Sequence, residues 1–133
     1  MKVFLDTNVV VSAVATRGLC ADLFQAILAE HELVLGETVL EEVRRVLSRK
    51  LKVPHETIDE LEAHLRTQAL VTAAQEKKAI RGLDAADVAV MAEALASGAD
   101  VLVSGDHDLL KLAKPPVTVV SPRGMWDELR RAT

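Results

Sequence analysis

The stretch VLVSGDHDLL runs from Val101 to Leu110. It opens with the kind of apolar run that forms a buried strand, and Asp106 and Asp108 follow at once. VFLD, at the start of the chain, repeats the arrangement with Asp6. A carboxylate beside a core strand needs partners, because an unpaired buried charge is costly. Further acids sit in two apolar-periodic stretches: Glu42 in ETVLEEVRRVL, and Asp84 and Asp87 in LDAADVAVM. Carboxylates gathered in one place suit hard divalent cations such as Mg²⁺ or Mn²⁺, which take oxygen ligands. Two such ions roughly 3.5–4 Å apart can activate a water and stabilise the leaving oxygen of a phosphodiester. Zinc is a poorer match. His31, His55, His64 and His107 are scattered, and Cys20 is the one cysteine.

The elements that must position these acids can be read from period and punctuation. Strands are expected at Val3 to Leu5, Leu33 to Leu35, Val101 to Ser104 and Thr118 to Val120. Helices are expected at Ala21 to Glu30, Thr38 to about Leu51, Glu56 to Leu70, Asp84 to Ser97 and Arg123 to Arg131. A turn and short helix fit Asn8 to about Ala15, and a helical turn fits Asp108 to Leu112. Strands separated by helices imply parallel pairing and an α/β layer fold. The strands are continuous apolar runs, as burial on both faces demands.

In a parallel sheet all carboxyl ends share one edge, and ligands bind there. Asp6 and Asp106 follow their strands onto that edge, and the helices at Thr38 and Asp84 start there. Helical phase then selects among the helix acids. With about 100° per residue, the apolar arc of the Thr38 helix centres on Val43. Glu42 lies at the margin of that arc, turned toward the sheet. Glu41 points away and can pair with Arg45 on the surface. Asp87 shares a side with Val88, Met91 and Leu95. Asp6, Glu42, Asp87 and Asp106 are thus expected to converge, with Asp84 and Asp108 close by. Repulsion and burial would raise their pKa values unless a cation sits among them.

Composition bounds the rest. The chain has 133 residues, 50% of them hydrophobic and 27% charged. That suits one domain with one core over residues 1–133, and argues against disorder. Aromatics are scarce, with Phe4, Phe24 and Trp126 and no tyrosine, so no aromatic platform for stacking bases is expected. A lone cysteine excludes an internal disulfide and fits a reducing compartment. No apolar run approaches the roughly 20 residues of a membrane span, and MKVFLD is too short for a signal peptide. A soluble, cytoplasmic protein without a membrane partner is expected. The net charge of −4 disfavours nonspecific nucleic-acid binding, unless bound cations cancel the acids locally.

Structural roles compete for the same residues. Asp84 and Asp87 fit a capping pair, at the N-cap and N3 positions. Asp108 fits the cap of the turn before Leu109. Asp6 can cap the Asn8 turn. The basic run RRVLSRKLK is either a solvated face or a phosphate-contacting edge, through Arg44, Arg45 and Arg49. His107 reads as exposed and incidental, and Cys20 as a small apolar filler.

VFLDTNVVVSA, ETVLEEVRRVL, LDAADVAVMAEALASGADVLVSGDHDLL and VVSPRGMWDEL, in that order, resemble the PIN-domain ribonucleases, in particular the small prokaryotic VapC-like toxins. The resemblance covers essentially the whole chain. D-T-N together with S-G-D-x-D-L-L is its specific part. It implies a three-layer α/β/α sandwich with a central parallel sheet of four or five strands. It implies Mg²⁺- or Mn²⁺-dependent hydrolysis of RNA, with Asp6, Glu42, Asp87 and Asp106 as the acidic metal site. Thr7, Asn8 and Ser104 would support that site by hydrogen bonds, and Asp108 would be an auxiliary acid. Ser104 stands where the family often has threonine, so a hydroxyl is kept. The resemblance also implies a homodimer, an antitoxin that blocks the acidic groove, and a helical pair at about 38–70 flanking it.

Other classes fit less well. An aspartyl-phosphate phosphotransfer domain of the dehalogenase type wants a second aspartate two residues after the first, where Asn8 stands. A receiver domain wants an acid pair after the first strand, and Asp6 stands alone. A metal-binding adhesion module wants D-x-S-x-S, and DTNVV lacks it. A catalytically inactive PIN-like binding or regulatory subunit is the remaining alternative, against which stands the presence of all four acids.

Overall fold

The computed structural model describes residues 1–131. In chain order the elements are β1 (Lys2–Leu5), α1 (Thr7–Ala15), α2 (Leu19–Glu30), β2 (Glu32–Gly36), α3 (Glu37–Arg49), α4 (His55–Gln68), β3 (Leu70–Thr72), α5 (Ala85–Ala96), β4 (Val101–Val103), α6 (His107–Leu110), β5 (Val119–Val120) and α7 (Pro122–Arg131). The strands form one parallel sheet in the order β3-β2-β1-β4-β5. Val3 pairs with Leu33 on one side and with Val101 on the other. Residues Val3–Leu5, Leu33–Leu35 and Val101–Val103 are all buried, which accounts for their uninterrupted apolar runs.

The chain steps from β1 through β2 to β3 in one direction, then crosses back to β4 and β5. Right-handed crossovers in opposite directions place their helices on opposite faces of a sheet. The result is a three-layer α/β/α sandwich. α5 packs across β2, β3 and β4, while α2 packs on β2 and against α7. Apolar residues at helical spacing supply the contacts: Leu23, Phe24 and Ile27 from α2, Val39, Val43 and Leu47 from α3, and Val88, Met91 and Ala94 from α5. Leu95 departs from the expected stripe. It is 55% exposed, because Ala94 takes the buried position in the last turn of α5.

Two local signals act as the sequence suggests. α5 ends in Gly98 at φ +72°, whose amide donates to the Leu95 carbonyl while that of Ala99 reaches Ala94. This closure satisfies the last carbonyls and needs a left-handed residue. Asp84 caps the other end, accepting from the Asp87 amide at 2.8 Å. One strand departs from expectation. Leu70, read from sequence as the last residue of a helix, opens edge strand β3, Leu70–Thr72. It follows a helical period closely, and pairing with β2 decides its conformation. α6 starts at His107, and its cap is Asp106 and not Asp108.

Candidate functional site

The order of strands sets the place of the site. β1 and β4 are neighbours, and from them the chain departs toward opposite edges of the sheet. Their carboxyl ends therefore border a crevice at the topological switch point, where ligands of open α/β folds bind. Asp6 leaves β1 and Asp106 leaves the β4 loop at this crevice. The two loops are stitched together. The Asp6 amide donates to the Val103 carbonyl at 3.0 Å. The Ser104 hydroxyl donates to Asp6 Oδ2 at 2.6 Å and accepts from the Asp106 amide at 3.0 Å. Thr7 N–H holds Asp6 Oδ1 at 2.8 Å. Asp6 is 7% exposed and Ser104 fully buried, so these bonds fix the carboxylate in one orientation.

Three of the site aspartates are also helix caps. Asp6 caps α1, Asp84 caps α5 and Asp106 caps α6. Capping and edge chemistry coexist because these helices begin where the strands end. Asp106 Oδ1 accepts from the amides of Asp108 and Leu109. Asp87, Asp106 and Asp108 each offer a carboxylate oxygen within 4.8 Å of the others. Asp108 thus belongs to the cluster and is not the cap. It also meets Lys111 at 3.3 Å in an exposed pair.

Charge is only partly compensated here. Burial, and then the neighbouring charges of Asp106, Asp84, Asp6 and Asp108, push the Asp87 carboxyl up to about 6. Burial and the Asp106 charge raise Asp6 above the ordinary range, against its bonds from Ser104 and Thr7. Glu42 is raised by burial and by Asp6, and Arg45 opposes this in part. The Thr7 hydroxyl is near enough to ease Glu42 slightly, yet no hydrogen bond closes between them. Among the described residues, Thr7 Oγ1 and Glu42 Oε1 are the buried side-chain polar atoms without a hydrogen-bond partner. Unpartnered buried oxygens beside mutually repelling carboxylates fit a hard cation.

The other sequence candidates divide. Asn8 is exposed in the first turn of α1. Arg44 is engaged by α4, with Asp59 at 2.7 Å and Glu62 at 3.3 Å. Arg45 and Arg49 are exposed on α3. Arg45 acts electrostatically on Glu42, where the sequence had suggested Glu41 as its partner. One acid escaped the sequence reading. Glu93 of α5 is 2% exposed and accepts from the Thr38 amide with both oxygens, at 3.1 and 3.2 Å. It lies in an apolar helix among core residues, and its partner is 55 positions away.

Among the described residues no single helix is long and apolar enough to cross a membrane. No curated relative matches the sequence. The fold is similar to that of VapBC2 from Rickettsia felis bound to a DNA fragment from their promoter, at 14% identity and a TM-score of 0.65, covering 91% of this chain and 98% of that one. It is similar to FitAcB from Neisseria gonorrhoeae, at 17% identity and a TM-score of 0.57, again with 91% and 98% covered. FitAB bound to an IR36 DNA fragment aligns at 16% identity with a TM-score of 0.57, over 90% of this chain and 94% of that one. These identities speak to fold alone. The sequence itself matches the model of the PIN domain over residues 2–108, and with the acids of Asp6, Asp87 and Asp106 inside that span the chain belongs to the PIN domain family.

Proposed function

We propose that this protein is a metal-dependent endoribonuclease and the toxin of a toxin–antitoxin pair, acting as one domain over residues 1–133. The observation that carries the reading is the cluster of mutually repelling carboxylates at the switch point. Asp6, Glu42, Asp87 and Asp106 would hold Mg²⁺ or Mn²⁺, with Asp108 auxiliary. When bound there, such an ion supplies a water nucleophile at neutral pH and neutralises charge on a phosphodiester.

The chain's own groups prepare the site. The Thr7 amide and the Ser104 hydroxyl aim Asp6. Two amides occupy Asp106 Oδ1, and Asp106 offers a carboxylate oxygen within 4.8 Å of ones from Asp87 and Asp108. Glu42 stands across from them on α3 with an unpartnered oxygen. Arg45 and Arg49 are the cations of α3 available to an RNA phosphate, since Arg44 is held by Asp59 and Glu62. The α3–α4 pair flanks the groove. The resemblance to VapC-like toxins, together with a fold similar to those of VapBC2 and FitAcB, supports an antitoxin as partner here. A homodimer and a cytoplasmic location complete the proposal.

Calorimetry with Mn²⁺ on the wild type and on Asp6→Asn tests it first. Binding that disappears in the variant, followed by metal-dependent RNA cleavage that disappears with it, is expected. Absence of Mn²⁺ binding by the wild type, with and without RNA, would overturn the reading.

A further inference from the structure

α3 carries Glu42 but has no cap of its own. Gly36 stands at its N-cap position and has no side chain to offer. A helix start leaves orphan amides and a partial positive charge, which a carboxylate satisfies. The carboxylate comes from α5. Glu93 accepts from Thr38, the second residue of α3, with both oxygens. α5 is also the helix of Asp87, about one and two-thirds turns earlier, or about 9 Å along the axis. A forked, charge-assisted contact therefore joins the two helices that bear Glu42 and Asp87. Thr38 lies four residues before Glu42, so the two share a helix face one turn apart.

The sequence of β2 is shaped around this bond. A Cβ at Gly36 would run into the Glu93 carboxylate and the Phe4 ring. The glycine clears the path by which Glu93 reaches the helix start. Phe4 lies two residues before Asp6, so the same contact abuts the strand that delivers the first acid. Burial raises the Glu93 carboxyl, its bonds from Thr38 lower it, and Lys77 and Glu37 act on it as charges. Its hydrogen bonds run to the start of α3.

We infer that Glu93 is a positioning residue: by holding the Thr38 amide it fixes the start of α3 against α5, and so sets the spacing of the Glu42 and Asp87 carboxylates. The inference rests on the acidic metal site proposed above and deepens it. Groups that orient metal ligands from outside typically change affinity by about 10–100-fold when lost.

The experiment is Mn²⁺ calorimetry on the full chain, with Glu93→Ala and Glu93→Gln, each also in a Glu42→Ala background. Glu93→Ala should weaken Mn²⁺ binding by about tenfold or more. It should also speed hydrogen exchange at the Thr38 amide. Glu93→Gln keeps the shape and an accepting oxygen, and should stay within about threefold of wild type. In the Glu42→Ala background Glu93→Ala should add no further loss. Equal losses in both backgrounds would overturn the inference, because a general loosening of the fold does not act through Glu42. Mn²⁺ affinity unchanged by Glu93→Ala would overturn it too. Should Glu93→Ala not fold, Glu93→Asp shortens the arm by one methylene and is expected to lower affinity in a folded chain; wild-type affinity there would overturn it. A wild type that binds no Mn²⁺ defeats the metal site itself, an outcome distinct from a wild type that binds with Glu93 irrelevant.

Discussion

Two faces of α3 hold carboxylates in opposite states. On the α4 side, Glu37 meets Arg66 through both oxygens at 2.8 Å, and hydrogen bonds from that guanidinium hold its carboxyl below the usual range. Asp59 is lowered in the same way by Arg44. On the crevice side, Glu42 is raised by burial and by Asp6, and Asp87 is pushed up to about 6. The residue types are the same. One set is matched acid to base on an exposed surface and joins α3 to α4. The other faces its own kind at a strand edge. A cation contributed by a ligand has nothing to add to the first set and much to add to the second. The molecule holds its repulsion at the strand edge, and carboxylate counts alone do not reveal it.

The largest effect should come from removing an acid at the crevice. Asp6→Asn is expected to lower RNA cleavage by about a thousandfold or more, since metal-ion catalysis is worth several kcal/mol. The fold should persist, because the amide oxygen can still accept from Thr7. Initial rates on a labelled RNA with Mn²⁺ check this, and cleavage at the wild-type rate would remove Asp6 from the site. Relief of the repulsion comes next. Mn²⁺ at a thousand times its dissociation constant should stabilise the protein by about 4 kcal/mol. Melting curves with and without chelator read the shift, and coincident curves would sink the idea that the acids are relieved by metal.

A smaller effect separates the two faces by pH. Asp87 has a folded pKa of about 6, above its unfolded value. The folded chain then binds the proton more tightly, so the metal-free protein should gain stability as pH falls through 6. Glu37 and Asp59 have lowered values. Their contribution is present above the ordinary carboxylate range and is lost as pH falls below it. Asp87→Asn should therefore stabilise the metal-free chain at pH 8 by roughly 1 kcal/mol, less than the full shift implies because water screens a half-buried group. It should flatten the gain between pH 8 and 5. Melting temperatures across that range decide, and an unchanged slope would remove Asp87 as the titrating group. The smallest effect belongs to the matched face. Arg66→Ala should cost about 1 kcal/mol or less, as exposed ion pairs do, with the difference shrinking in high salt. Urea unfolding at two salt concentrations would measure it, and a loss that salt leaves untouched would point to packing of the side-chain stem.

Legibility followed the range of the interactions. Asp6 and Asp106 were readable because a carboxylate at the end of an apolar run is a local pattern. Asp84 and Asp87 were readable from capping spacing, and Glu42 from helical phase. Strand β3 was not. Leu70 read as the end of the preceding helix, and only pairing with β2 makes a strand of Leu70–Thr72. Arg44 read as either a solvated face or a phosphate contact until α4 placed Asp59 and Glu62 around it. Asp108 read as a cap until the backbone turned Asp106 to that duty.

By itself, then, the sequence determined the α/β class, the strands at the centre of the sheet and the acids that gather at its edge. Periodicity, capping and strand ends act over a few residues, and a single chain displays them. Tertiary structure decided how the acids are held. Ser104 reaches Asp6 across 98 positions, and Glu93 reaches Thr38 across 55. Such bonds exist only after β1 has paired with β4 and α5 has packed beside α3. They are decided by the geometry of a closed core, which no local pattern encodes.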